Sequence, residues 1–190
     1  MLVNFYWLSK LKKIFIFFLI LPFGFINAIA TEQIGSSLVV MDRFCSSCKI
    51  FRGSGRLSFF GINLYRAELY SEKTGEDFFK MKFALRIKYS RKFKGSNIAK
   101  RSIKEIRKLN FGSQDQQNQW YGDLKAKVPN IEKGDYLTGI FIPNYGFQIY
   151  HNNAQIMESK DKEFAKAFFS IWLDKNTSEP FLRGKLLSGQ

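Results

Sequence analysis

The sequence predicts an α+β domain in which helices cover an antiparallel sheet. Three observations carry that expectation. Residues 82–89 alternate, with Phe83, Leu85, Ile87 and Tyr89 on one side and Lys82, Arg86 and Lys88 among those on the other, as a half-buried strand requires. The stretch GDYLTGIFIPNYGFQIYHNNAQIM, residues 134–157, divides into three short strands at PNYG and NN. Strand groups and helical segments then follow one another in blocks rather than in strict alternation, which favours helices laid on an antiparallel sheet over a parallel, doubly wound one.

The elements follow in order. Residues 31–52 read as irregular. Gly53–Gly55 reads as a turn that delivers Arg56 onto a strand ending near Phe60, and Ile62–Tyr70 forms the next strand. SEKTGED, residues 71–77, is a polar turn cluster. In GSNIAKRSIKEIRKLNFG, Ser96 is the expected N-cap, Ile98, Ser102, Ile106 and Leu109 share one helical face, and Gly112 stops the helix. Its outer face carries Lys100, Arg101, Lys104, Arg107 and Lys108, a concentrated positive strip. A second helix spans residues 114–127 and ends at VPN. After the three strands, DKEFAKAFFSIWLD begins at a capping Asp161 and is apolar around most of its circumference. A last helix has Pro180 in its first turn, where a missing N–H costs nothing.

The N-terminus has the form of a secretory leader. Lys10, Lys12 and Lys13 precede an apolar run from Ile14 to Ile26, and Ala28-Ile29-Ala30 is a small-x-small cleavage pattern. Cleavage between Ala30 and Thr31 is expected, leaving residues 31–190 as one domain in the periplasm or secreted. Pro22 and Gly24 interrupt the run, which is short for spanning a bilayer. Three of the 30 Lys and Arg and none of the 16 Asp and Glu precede residue 31, so the remainder holds 27 basic against 16 acidic residues, a formal +11. Such a charge favours an anionic envelope surface, and export makes nucleic acid the least suitable partner.

The two cysteines, Cys45 and Cys48, read as a small disulfide loop in an oxidising compartment. A redox dithiol needs its first cysteine at a helix start after a strand, and the surrounding pattern lacks that. No metal site is expected: a zinc site needs four ligands, and His151 is the only histidine. It reads as a strand-end residue, and no cofactor is expected.

Several blocks resemble a known family. GSGRLSFFGINLYRAELY is similar to the glycine-turn hairpin of the chalcone isomerase fold. LRIKYSRKFKGSNIAKRSIKEIRKLN, KGDYLTGIFIPNYG and KEFAKAFFSIWLDKNTSEPFLRGKLL resemble exported bacterial chalcone isomerase-like proteins. The resemblance covers nearly everything from Phe51 onward. It implies an open-faced sandwich, an antiparallel sheet covered by helices, with a ligand cleft between them. Plant relatives close a flavanone ring, and other members bind fatty acids or have no known activity.

The resemblance also implies where a pocket cation belongs. Enzymatic members keep an arginine just after the glycine turn, and alignment on Gly53-Ser54-Gly55 puts Leu57 in that slot. Strand alternation agrees, because Leu57 and Phe59 share one face while Arg56 and Ser58 share the other. A one-residue bulge would turn Arg56 inward. Tyr65 aligns with a pocket hydroxyl. The candidate ligand-binding set is therefore Arg56, Leu57, Phe59 and Tyr65, with no catalytic residue assigned. On the next strand the parities of Ile62, Leu64, Arg66 and Glu68 conflict with those of Ala67 and Leu69, so that strand is bulged or leaves the core midway.

Three functional classes stay open at this point. One is a non-catalytic binder of a fatty acid or similar amphipathic molecule. Another is an intramolecular lyase of the chalcone–flavanone type. The third is an envelope interaction protein that uses the basic helix.

Overall fold

The computed structural model describes residues 41–75 and 77–188. The leader and its cleavage point lie outside the described residues. Strands β1 (Ile50–Phe59), β2 (Ile62–Ser71) and β3 (Phe83–Tyr89) are followed by helices α1 (Gly95–Lys108) and α2 (Gln114–Lys127). Then come β4 (Tyr136–Ile142), β5 (Gly146–His151), β6 (Ala154–Ser159), α3 (Lys162–Leu173) and α4 (Pro180–Leu186). The six strands form one sheet in chain order, and every neighbouring pair is antiparallel. The expected α+β sandwich is thus a six-stranded meander with one helical pair inserted between β3 and β4.

The inner face carries the main core. Leu69, Phe83, Leu85 and Phe147 from the strands meet Ile106, Trp120, Phe164 and Phe169 from the helices, all of them buried. Ring contacts tie the layers together: Phe83 stacks on Phe141 at 4.9 Å and meets Phe169 edge-on at 4.9 Å. Full burial of each such side chain is worth about 1.5–3 kcal/mol. The outer face is different. There Tyr70, Ala84 and Ile140 are covered by Met41, Cys45 and Cys48. Residues 31–52 are therefore not wholly irregular: residues 41–44 are helical and β1 already starts at Ile50. Cys45 and Cys48 lie at disulfide distance, with Cα atoms 5.3 Å apart, and both are buried.

Two local expectations need correction. Gly53–Gly55 is not a turn but the middle of β1. Gly53 has φ 151°, and a Cβ there would collide with the backbone of α4, while one on Gly55 would meet Leu182. The glycines are a landing surface for α4. Likewise Ser96 does not cap α1, which begins at Gly95. The Gly95 N–H donates to Asn130 Oδ1 at 3.1 Å, and a Cβ on Gly95 would strike the Val128 carbonyl. Close packing against the 128–130 loop fixes that helix start, so no hydroxyl is needed. Elsewhere capping follows the sequence: Asp161 Oδ1 accepts from Phe164 N at 2.9 Å, and Ser113 and Gln116 form a reciprocal capping box.

Both irregularities in β1–β2 pairing are bulges. Phe51 pairs with Tyr70 and Gly53 with Leu69, so Arg52 is an extra residue. It is buried, donates to the Lys73 and Gly75 carbonyls at 3.2 and 2.9 Å, and lies over the Phe78 ring. The second bulge leaves Leu64 unpaired between Tyr65, opposite Leu57, and Asn63, opposite Ser58. It resolves the parity conflict on β2, where Tyr65, Ala67 and Leu69 face the helices while Arg66 and Glu68 face away.

Candidate functional site, an apolar cavity between sheet and helices

Between the sheet and the helices lies a cavity of about 510 Å³, within the ~300–1,000 Å³ usual for small-molecule sites. Leu57, Leu85, Ile87 and Leu137 floor it from the strands, and Ile98 and Phe168 roof it from the helices. Leu57 and Phe59 both line it, Phe59 at the rim with 64% of its surface exposed. The bulge at Leu64 lets both Leu64 and Tyr65 reach the same space.

Polar groups are few and grouped. The Trp172 indole N–H donates to the Tyr65 hydroxyl oxygen at 2.9 Å. With that lone pair engaged, the phenol O–H of Tyr65 is free to donate to a carbonyl or carboxylate in the cavity. The Tyr89 ring stands 5.9 Å from that of Tyr65 and lines the same wall. Burial pushes both phenols well above their ordinary range, for Tyr65 against the opposing Trp172 hydrogen bond. They are neutral donors at all ordinary pH values.

Charge is grouped in one cluster of the lining, Arg101, Glu105 and Glu179, of which Glu105 is buried. Arg101 on α1 lies 2.8 Å from Glu105 and 3.8 Å from Glu179. Glu105 also accepts from Ser178 Oγ at 2.6 Å and from Lys108 at 3.1 Å. Burial pushes the Glu105 carboxyl up, but Ser178, Lys108 and Arg101 outweigh it and hold the group below its ordinary value. Glu179 moves the other way: burial raises it, and the Glu105 charge adds to that against Arg101 and Lys108.

Arg56 is on the opposite side of the sheet. It is exposed and lines a separate groove of about 360 Å³ together with Arg66, Lys88 and Lys133. β1 bulges at Arg52, and the second bulge, at Leu64 on β2, falls opposite the Leu57–Ser58 step, so residues 53–57 keep simple alternation and Arg56 stays outside. Of the basic strip on α1, Arg101 and Lys108 are tied to Glu105, and Arg107 donates to Gln117 and Asn118 at 3.1 and 3.2 Å. Among the described residues only Lys100 and Lys104 of the five make no polar contact. His151, at the end of β5, sits 2.9 Å from Asp135 and takes no part in the cavity.

Of the four candidates named from the sequence, Leu57, Phe59 and Tyr65 line the cavity, as do Tyr89, Trp172 and Arg101, which the sequence did not mark for it. Trp172 was legible only as part of an apolar helix. The i,i+4 spacing of Arg101 and Glu105 was the one available sign that the strip is internally paired.

An antiparallel meander covered by helices, with an apolar cavity of small-molecule size between the layers, makes this an open-faced α+β sandwich. The family model described as chalcone isomerase-like matches residues 50–188, and the chain belongs to that family. Among solved structures it is similar to a fatty-acid binding protein of Arabidopsis thaliana, AtFAP1, with a TM-score of 0.57 and 12% identity over 72% of this chain and 85% of that one. No curated protein matches the sequence significantly.

Proposed function

We propose that this chain, exported and cleaved after Ala30, is a non-catalytic binder of a fatty acid or a similar amphipathic small molecule. The observation that carries the reading is the cavity: its long walls are hydrocarbon, Tyr65 and Tyr89 supply neutral hydroxyls, and the charged side chains that line it, Arg101, Glu105 and Glu179, form one mutually paired cluster. A carboxylate buried deep among the hydrocarbon walls would lack a counter-charge, which costs several kcal/mol. The polar head therefore lies toward Tyr65 and the Arg101 rim while the chain fills the apolar end. The solved fatty-acid binding protein with this fold supports the same reading.

The flavanone-forming alternative is weaker, because Leu57 occupies the slot where a cation would steady an anionic nucleophile, and Arg56 is on the far face. The direct test is mass spectrometry of small molecules extracted from natively purified protein, joined to titration with a fluorescent fatty acid. Arg56→Ala is expected to bind within a few-fold of wild type, whereas Leu57→Asp abolishes binding or folding. Chalcone is expected to cyclise no faster than it does spontaneously. Turnover that disappears in Arg56→Ala would overturn the proposal.

A further inference from the structure

Three of the four exposed large apolar side chains among the described residues gather at the tip of the β1–β2 hairpin. Phe59 is 64% exposed, Phe60 89% and Ile62 42%. The fourth, Phe181, lies in the first turn of α4, whose Leu182 lies over Gly55 and whose first turn therefore points along β1 toward the same tip. The turn holds Phe60 at φ 47° and Gly61 at φ 75°. Two-residue turns of this kind ordinarily place Asn or Gly at the first position, so a phenylalanine there accepts backbone strain and puts a bare aromatic ring into solvent.

An independent observation lies just behind the tip. Arg56 is the direct cross-strand partner of Arg66, and Arg66 is the direct partner of Lys88. Like charges directly opposite one another destabilise a sheet. The adjoining row shows the ordinary solution, with Glu68 between Ser54 and Arg86. Arg66 reaches back to Ser54 Oγ and, at 3.6 Å, to Glu68, but the groove holding Arg56, Arg66, Lys88 and Lys133 is lined by no acidic side chain. Arg56 stands four residues from Phe60, about 13 Å along the strand. An interfacial element buries its apolar side about 5–10 Å into the headgroup–acyl boundary, which sets the cation row at the level of the phosphates. The same hairpin supplies Leu57, Ser58 and Phe59 to the cavity rim.

We propose that the β1–β2 hairpin is a membrane-docking element that seats on an anionic phospholipid surface. Phe59, Phe60 and Ile62 enter the interface, and Arg56, Arg66 and Lys88 engage lipid phosphates. Docking in this orientation brings the cavity rim to the bilayer, where an acyl ligand crosses between membrane and protein. That last step rests on the fatty-acid reading above, while docking itself does not.

The test uses the full chain bearing Phe60→Cys labelled with a polarity-sensitive thiol dye, so that the readout is local to the tip. Vesicles of phosphatidylglycerol and phosphatidylcholine in equal parts are expected to shift the dye emission to the blue, and pure phosphatidylcholine is not. Arg56→Ser, Arg66→Ser and Lys88→Ser combined in the labelled chain should move the vesicle titration about a hundred-fold to higher lipid, at roughly five-fold per cation. Arg56→Gln alone should move it about five-fold and serves if the triple variant fails to fold. Added salt should weaken the response. An equal response to both vesicle types, or one indifferent to the substitutions, overturns the proposal. So does an unmoved dye, whether or not inorganic polyphosphate binds the cation row in its place. Titrating the same labelled chain with a fluorescent fatty acid in the absence of vesicles reads the cavity alone, so a silent cavity and a silent hairpin tip are told apart.

Discussion

The two faces of the sheet are built from the same strands by opposite rules. On the inner face the rows of paired residues are mostly apolar or aromatic, as in Leu57, Tyr65 and Tyr89, and the helices close over it to leave a cavity. On the outer face the rows change character along the strands. At one end Tyr70, Ala84 and Ile140 lie under Met41 and the Cys45–Cys48 loop, and at the other Arg56, Arg66 and Lys88 stand in the open. The inner face is organised for burial. The outer face is divided between a small staple and a row of like charges with one acidic neighbour, Glu68 beside Arg66. The lesson is that a period-two strand can carry two functions at once, because alternate residues never share an environment.

The largest effect should come from breaking the inner face. Phe169 meets Phe83, Phe141 and Phe147 edge-on, and Phe169→Ala is expected to destabilise by about 3–5 kcal/mol in denaturant unfolding. A loss under 1 kcal/mol would mean that the cavity readily collapses onto the missing ring.

On the outer face, replacing Cys45 and Cys48 together with alanine should remove about 2 kcal/mol, the loop-closure contribution of so short a ring. The difference should vanish when wild type is measured under reducing conditions. A loss comparable to that of Phe169→Ala would show that the staple is part of one continuous core rather than a satellite cluster.

The charged end should behave in the reverse sense. Arg66→Gln removes the middle cation of the like-charge row and is expected to leave thermal stability equal to wild type or higher by less than about 1 kcal/mol. A clear loss would mean that the contacts of Arg66 with Ser54 and Glu68 outweigh the repulsion.

The smallest effect is expected at Asp135, near the start of β4. Its carboxylate accepts from the Glu132 backbone N–H, which is the largest cause of its depression, and contacts His151 and Asn152, holding its pKa at about 2 against an ordinary 3.8. A depressed carboxylate contributes stability above its unfolded value and loses it as pH falls toward the folded one. The gap in melting temperature between wild type and Asp135→Asn should therefore be present at neutral pH and close between pH 4 and pH 2. A gap that persists at pH 2 would show that the ionised form is not the source.

Periodicity and turn chemistry determined much of this protein from the sequence alone. Alternation in residues 83–89 and the breaks at PNYG and NN mark strands because side chains on a pleat have a strict period of two. Asp161 marks a helix start because its carboxylate satisfies a backbone donor nearby in sequence. These are short-range causes, and they survive without tertiary context. The placement of Leu57 inside and Arg56 outside was legible for the same reason, since no bulge falls between them.

What the tertiary structure decided were the features whose cause is distant in sequence. Gly53–Gly55 looked like a turn because glycine permits one, but it is strand because α4, more than 120 residues on, needs a surface without Cβ atoms. Ser96 looked like a cap, but packing of Gly95 against the 128–130 loop set the helix start. Arg101 read as one of five solvated cations and became the rim of the cavity because Glu179 arrives from the far end of the chain. Trp172 and Tyr65, separated by 107 positions, form the internal donor pair only once α3 lies on β2. In each case the deciding partner is supplied by packing between layers, which local pattern does not encode.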